Sequence, residues 1–131
     1  MPSTDYIDDP RIRDDEYVYR RVGSAEWSWI EGRPSSAGFH DSSDRTPMSV
    51  GVHSLLIEAG LTPRSLLAAY PQCGLVRFTA GQARRLGLAV TALPRVDGEP
   101  AHGWVVGKKK QSIRRHLARQ SEIVVLPPRS E

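Results

Sequence analysis

The sequence predicts a single small α+β domain with a mixed β-sheet and about three to four short helices. Its 131 residues match the commonest size of one domain. Helical and extended patterns alternate along the larger, C-terminal part of the chain, in the order helix, strand, helix, strand, strand, helix, strand. Ten prolines and eleven glycines indicate many loops. Because the helix predicted over 80–86 is short for a parallel crossover, we expect a mixed sheet.

The N-terminal part of the chain divides into a leader and the start of the domain. Residues 1–15 are predicted to be an acidic flexible leader, because Asp9-Pro10 disfavours helix and few apolar side chains are available to anchor it. The domain then covers residues 16–131. Alternation and β-forming residues predict strands over 17–22 and 27–30, followed by a long loop over 32–47.

Capping signals define the helices that follow. A short helix is expected from about His53, and a second begins at Thr62-Pro63 and runs through residue 70. Thr79 and Gln82 form a capping-box pattern. The remaining patterns predict strands over 75–78, 88–93, 104–106 and 123–126, a polar connection over 95–100, and a helix over 112–120.

Charge is distributed unevenly along the chain. Residues 1–16 hold six acidic and two basic side chains, a balance of minus four, whereas residues 77–119 hold ten basic and two acidic ones, a balance of plus eight. A polyanionic partner explains this asymmetry. The alternative is that the acidic start folds back onto the basic part of the chain.

The basic segment around the last helix is the main candidate binding site. Six of the twelve residues from Lys108 to Arg119 are basic. Lysines in front of a helix start are unfavourable unless an anion binds there, because the exposed amide groups already carry positive charge. The predicted contacts to phosphate or nucleic acid are Lys108, Lys109, Lys110, Ser112, Arg114, Arg115 and Arg119. A solvated basic face is the alternative interpretation.

A second candidate lies in the long loop. Arg33 offers a planar fork for phosphate or carboxylate, and Ser35 and Ser36 add hydroxyl donors, so these three are candidate substrate-loop residues. His40 and His102 are candidate proton carriers, although the sequence leaves the catalytic residues, and whether the protein is an enzyme, undetermined. A structural loop built from Asx and Ser turns is the alternative.

Several kinds of site are not expected. The single cysteine, Cys73, rules out an internal disulfide and favours a reducing, cytoplasmic location. The four histidines lack metal-ligand spacing, so neither a metal nor a cofactor is predicted. The chain has no secretory signal and no apolar run near the roughly 18 residues that a membrane helix needs.

The run Tyr19-Arg20-Arg21-Val22, followed by an aromatic strand and a serine-rich loop, resembles the opening strand of ADP-ribosyltransferase-like folds. In that family an arginine helps to hold the dinucleotide. The resemblance covers only a few residues, and Glu99 lies in a predicted turn rather than in a strand. No residue role is therefore transferred to this chain.

These observations predict a small cytoplasmic binding or accessory protein that contacts a polyanion, either a nucleic acid or a phosphorylated ligand, through its basic C-terminal helix. One alternative is an enzyme that acts on a nucleotide or a phosphorylated small molecule through the histidine, arginine and serine residues. Another is a regulatory module that binds an acidic partner protein. The sequence leaves the oligomeric state open.

Overall fold

The structure is a computed structural model, and it describes residues 8–43, 46–92 and 100–129. The strands are β1 (Tyr17–Gly23), β2 (Trp27–Ser28), β3 (Arg33–Pro34), β4 (Met48–Val52), β5 (Cys73–Thr79), β6 (Ala89–Ala92), β7 (His102–Val106) and β8 (Glu122–Val125). The α-helices are α1 (His53–Glu58), α2 (Ala80–Arg85) and α3 (Gln111–Gln120). Short 3₁₀ helices cover Ser24–Glu26, Ser36–Gly38 and Pro63–Leu67. The chain is thus one small α+β domain, as predicted.

The main sheet has six strands in the order β6-β7-β4-β1-β5-β8, and β2 and β3 form a separate hairpin. Every pairing among the described strands is antiparallel, so the sheet is not the mixed one that we expected. Two crossovers explain the difference. The chain passes from β5 through α2 to β6, and from β7 through α3 to β8, and each crossover joins strands of the same direction that have three other strands between them. Parallel strands are present but never adjacent.

The two faces of the sheet bury different clusters. On one face, Val18 and Val22 of β1 pack with Phe39, Phe78 and Leu117 of α3 in the larger core. On the other face, Tyr19 of β1 packs with Leu56, Leu75 and Ala101 in a smaller cluster. Because successive side chains of a strand point to opposite faces, the alternation within β1 supplies both cores. We call these the α3 face and the Tyr19 face.

Local capping determines where the helices begin. Thr79 accepts a hydrogen bond from the Gln82 amide at 3.1 Å, and the Gln82 side chain accepts one from the Thr79 amide at 2.9 Å, which confirms the predicted capping box. The Thr62-Pro63 start behaves differently: it produces the 3₁₀ helix Pro63–Leu67, without a side-chain cap, rather than an α-helix through residue 70. The 3₁₀ helix ends at Leu67, four residues before Pro71, and residues 68–69 form a turn.

The described part of the acidic leader lies on α2 and β6. Arg84 donates to the Asp8 and Asp14 carboxylates, at 3.0 and 2.8 Å, and Ile12 is buried in the larger core. The Asp9 amide also bonds to the Val90 carbonyl of β6. Asp8 and Asp14 therefore compensate Arg84, whereas Asp9 and Asp15 pair with Arg11 and Arg13 of the leader itself. Among the described residues, none of these acidic side chains pairs with an arginine of α3. Residues 1–7 and most of the predicted 95–100 connection lie outside the described residues.

Across the three described ranges, none of the helices combines the length and the apolar character that crossing a membrane requires.

Candidate functional site

A groove on the α3 face lies between the β2–β3 hairpin and α3, with a volume of about 270 Å³. It brings together two regions that the sequence analysis singled out separately, the loop containing Arg33 and the arginines of the last helix. The lining residues are Ser28, Glu31, Arg33, Pro34, Ser35, Ser36, Arg115, Ala118 and Arg119. The charged side chains among them are three cations, Arg33, Arg115 and Arg119, and one anion, Glu31. We call this cavity the α3 groove.

The helical wall of the α3 groove follows from the amphipathic pattern of α3. Leu117 and Ala118 are buried in the larger core, and Ile113 packs against it. Arg115 and Arg119 are four residues apart, so they lie on one side of the helix, and both are exposed. Neither forms an ion pair with any residue in the described ranges. Their charge is therefore directed at solvent.

The hairpin wall supplies a third arginine and several hydroxyl groups. The Arg33 Nε lies 3.0 Å from Glu31 Oε1, and both side chains are substantially exposed. Exposed pairs of this kind contribute only about 0–1 kcal/mol, so an incoming anion can compete for Arg33. Ser35 donates to the Glu26 carbonyl at 2.8 Å, which makes its hydroxyl part of the hairpin's own structure. Ser36 keeps its hydroxyl at the groove wall.

The three lysines before α3 have different environments. Lys109 is only 4% exposed at its side chain, and its ammonium donates to Asp41 at 2.7 Å and to the Gly107 carbonyl at 2.8 Å. Burial lowers the pKa of Lys109, and the hydrogen bond to Asp41 opposes that effect. Lys108 and Lys110 remain exposed. Of the predicted lysine contacts, Lys109 thus serves as a link between the start of α3 and the loop at Asp41.

The helix start also differs in detail from the expectation. Lys110 is the residue that precedes the first turn, and it makes no side-chain cap. Ser112 is exposed within the first turn and does not cap the helix either. Arg114 is half-buried and donates to the Gln111 side chain at 3.1 Å. Arg114 does not line the α3 groove, whereas Arg115 and Arg119 do.

His40 lies near the α3 groove but does not line it. Its Nε2 is 3.1 Å from Glu26 Oε2, and its Nδ1 is 2.8 Å from the Asp41 carbonyl oxygen. The Glu26 carboxylate and the Asp41 carbonyl therefore hold the two ring nitrogens on opposite sides of the ring.

Arg20 stabilises the loop around His40 through hydrogen bonds to backbone carbonyls. Its guanidinium donates to the carbonyls of Gly38 and Ser49, both at 2.9 Å, and to the His40 carbonyl at 3.3 Å. Burial lowers the pKa of Arg20 to about 10, and the nearby Glu26 charge acts in the opposite direction. This role of Arg20 was not predicted, although its position between Val18 and Val22 on an alternating strand indicates a buried cation.

His102 belongs to the opposite face of the sheet. It pairs with Gly51 across β4 and β7, and its Nε2 lies 3.2 Å from the Ser49 hydroxyl. It lines a small cavity together with Tyr19 and Arg21, and that cavity is distinct from the α3 groove. The structure therefore does not bring His102 into one pocket with Arg33, and an enzyme built on both stays a prediction.

Within the described ranges, no three histidine, cysteine, aspartate or glutamate side chains form a cluster that could hold a metal ion. No protein-family model matches this chain, no curated protein is significantly similar to it, and no solved structure significantly matches its fold. Its function has to be inferred from the geometry of its own residues.

Proposed function

We propose that this protein binds a phosphate-bearing polyanion through the α3 groove, with Arg33, Arg115 and Arg119 as the main contacts. The observation that carries the proposal is that Arg115 and Arg119, which have no ion-pair partner among the described residues, face Arg33 across the groove. Arginine suits this function because its planar fork donates two parallel hydrogen bonds to a phosphate. The cytoplasmic location predicted from the single cysteine belongs to this proposal.

The exposed lysines extend the same surface. Lys108 and Lys110 precede α3, and its ten residues span about 15 Å along the helix axis. An extended polyanion that lies along α3 can therefore reach the lysines at one end and the arginines of the groove at the other. A single phosphate can reach only one end. This geometry favours a polymer with several phosphates over a monophosphate.

The test is the salt dependence of binding to a fluorescently labelled single-stranded oligonucleotide, measured by fluorescence anisotropy. With the three arginines and Lys108 and Lys110 neutralising phosphates, the logarithm of the binding constant should fall with the logarithm of salt concentration with a slope of about −3.5. Replacing Arg115 and Arg119 together by glutamine should remove about 1.4 from the magnitude of that slope and weaken binding at least about tenfold at low salt. Affinity that stays level from low to high salt contradicts the proposal.

The matched control for either single replacement, Arg115→Gln or Arg119→Gln, is Arg64→Gln, which removes one positive charge at an exposed position in the 3₁₀ helix Pro63–Leu67. This variant should bind the oligonucleotide as the unmodified protein does. An equal loss in Arg64→Gln would show that only net charge matters, and the α3 groove would then have no specific role. A polyglutamate peptide of matched charge is the second probe. If it binds more tightly than the oligonucleotide, the acidic-protein alternative is favoured.

A further inference from the structure

The Tyr19 face carries a second cavity, with a volume of about 360 Å³, between the 3₁₀ helix Pro63–Leu67 and the end of α1. Its walls are mostly apolar and include Leu56, Leu61, Leu66, Tyr70 and Ala101. Among the described residues that line it, Arg21 is the charged one. We call this cavity the Arg21 cleft. Its volume falls within the range of about 300 to 1,000 Å³ that is usual for small-molecule sites.

The Arg21 guanidinium is held in place but is only partly satisfied. Its carbon lies 3.9 Å from the centre of the Tyr70 ring, and one nitrogen donates to the Leu66 carbonyl at 3.1 Å. The donors of a guanidinium lie in its plane, so stacking one face on an aromatic ring leaves the edge available. No carboxylate in the described ranges forms an ion pair with Arg21. The remaining N–H groups can therefore bind an external anion.

The apolar walls are exposed where they meet this cation. Leu61 is 37% exposed and Tyr70 is 41% exposed, and both line the cleft. Gly51 allows the wall to come close to the sheet, because a Cβ at that position would lie 2.6 Å from the Leu66 Cδ1. A second small cavity, lined by Arg21, Ser49 and His102, adjoins the cleft because Arg21, Leu66 and Ala101 line both.

We propose that the Arg21 cleft binds a small amphipathic carboxylate. The carboxylate accepts hydrogen bonds from the edge of the Arg21 guanidinium, and the apolar part of the ligand lies against Leu56, Leu61 and Leu66. A purely apolar ligand leaves the guanidinium edge without an acceptor, and a small inorganic anion leaves the apolar walls exposed. Only a ligand with both parts matches the two kinds of surface. This site lies on the opposite face of the sheet from the α3 groove and does not depend on the function proposed there.

The test uses octanoate and its uncharged analogue octanamide, titrated into the ¹⁵N-labelled full-length protein and followed by NMR. Octanoate should bind with a Kd on the order of 0.1 to 1 mM, as expected for a ligand of this size. Octanamide should bind at least about fivefold more weakly, because hydrogen bonds to a charged acceptor are the stronger ones. The amide shifts should map to Leu56, Leu61 and Leu66.

Two variants separate the cation from the walls of the cleft. Arg21→Gln should weaken octanoate binding about tenfold while leaving octanamide binding nearly unchanged. Arg64→Gln, at an exposed position in the same 3₁₀ helix that does not line the cleft, should leave both affinities unchanged. If Arg21→Gln does not fold, the comparison of octanoate with octanamide on the unmodified protein still decides the question.

Three results would overturn the proposal. The first is equal binding of octanoate and octanamide, which would remove the role of Arg21. The second is the absence of saturable octanoate binding up to about 10 mM, which lies well above the expected Kd. The third is a set of shifts at Arg115 and Arg119 in place of the cleft, which would assign the carboxylate to the α3 groove. Loss of oligonucleotide binding in the separate anisotropy test leaves this inference unaffected.

Discussion

The two faces of the sheet present their arginines in opposite ways. On the α3 face, Arg115 and Arg119 project from a helix into a polar groove and have no anionic partner among the described residues. On the Tyr19 face, Arg21 is stacked on Tyr70 within an apolar cleft. A cation in polar, open surroundings binds anions through long-range, salt-sensitive attraction, whereas a cation beside apolar walls selects ligands that also have an apolar part.

The same contrast between the two faces is seen in Arg20 and Arg21, which are neighbouring residues of β1. Arg20 points to the α3 face, where the carbonyl oxygens of Gly38, His40 and Ser49 accept its hydrogen bonds. Arg21 points to the Tyr19 face and has one carbonyl partner, Leu66. One residue type thus holds the fold together at one position and remains available to a ligand at the next. The number of acceptors that the fold supplies makes the difference.

The largest expected effect is on stability, and it separates Arg20 from Arg21. Arg20→Met should lower the free energy of unfolding by about 2–4 kcal/mol, because it leaves the Gly38 and Ser49 carbonyls without their charged donor. Arg21→Met should cost about 1 kcal/mol, since one hydrogen bond and one ring contact are lost. Urea denaturation followed by tryptophan fluorescence measures both. Equal losses would show that the two arginines do not differ in structural role.

The next effect concerns the link between Lys109 and Asp41 and depends on pH. Asp41→Asn should cost about 2–3 kcal/mol at pH 7, because it leaves the buried Lys109 ammonium without its anionic partner. Burial already lowers the pKa of Lys109, and removing Asp41 should lower it further. In the range between the folded and unfolded pKa values the unfolded chain binds more protons, so the stability of Asp41→Asn should rise as the pH increases above neutrality.

The control for that pH dependence is Asp41→Asn combined with Lys109→Met. The double variant has no buried ammonium to deprotonate, so subtracting its stability profile from that of Asp41→Asn isolates Lys109. The difference in the free energy of unfolding between the double variant and Asp41→Asn should shrink between pH 7 and about pH 10. A difference that stays constant over this range would mean that Lys109 keeps its proton without Asp41. Denaturant titrations at each pH provide the measurement.

The smallest expected effect on stability tests how closely the cleft wall approaches the sheet. Gly51→Ala brings a Cβ to 2.6 Å from the Leu66 Cδ1, which is the end of a flexible side chain. Because the Leu66 side chain can adopt another rotamer, the free energy of unfolding should change by less than about 1 kcal/mol. Octanoate binding should nevertheless weaken several-fold, because Leu66 is part of the cleft wall. Unchanged binding would exclude Leu66 from the ligand contact, and calorimetric titration can measure it.

Two features of the helices could be predicted because their sequence signals come from residues close together in the chain. The capping box at Thr79 and Gln82 and the inward face of α3, with Leu117 at its centre, follow from residues three or four apart in sequence. The α-helix predicted from Thr62 was also based on local signals, but this prediction was wrong. Its start was correct, but a five-residue 3₁₀ turn formed in place of an α-helix, and its Leu66 packs against the Tyr19-face cluster.

The sequence by itself determined the α+β class, the order of the elements from β5 to β8, and the concentration of positive charge near α3. The short strand β3 and the internal strand β4 were not among the predicted strands. Tertiary structure alone decided that Lys109 is buried against Asp41, that Arg33 lines one groove with Arg115 and Arg119, and that Asp8 and Asp14 compensate Arg84. These outcomes depend on contacts between residues far apart in sequence. Whether a cation is available to a ligand depends on the acceptors that such contacts bring to it, and periodicity along the chain carries no information about them.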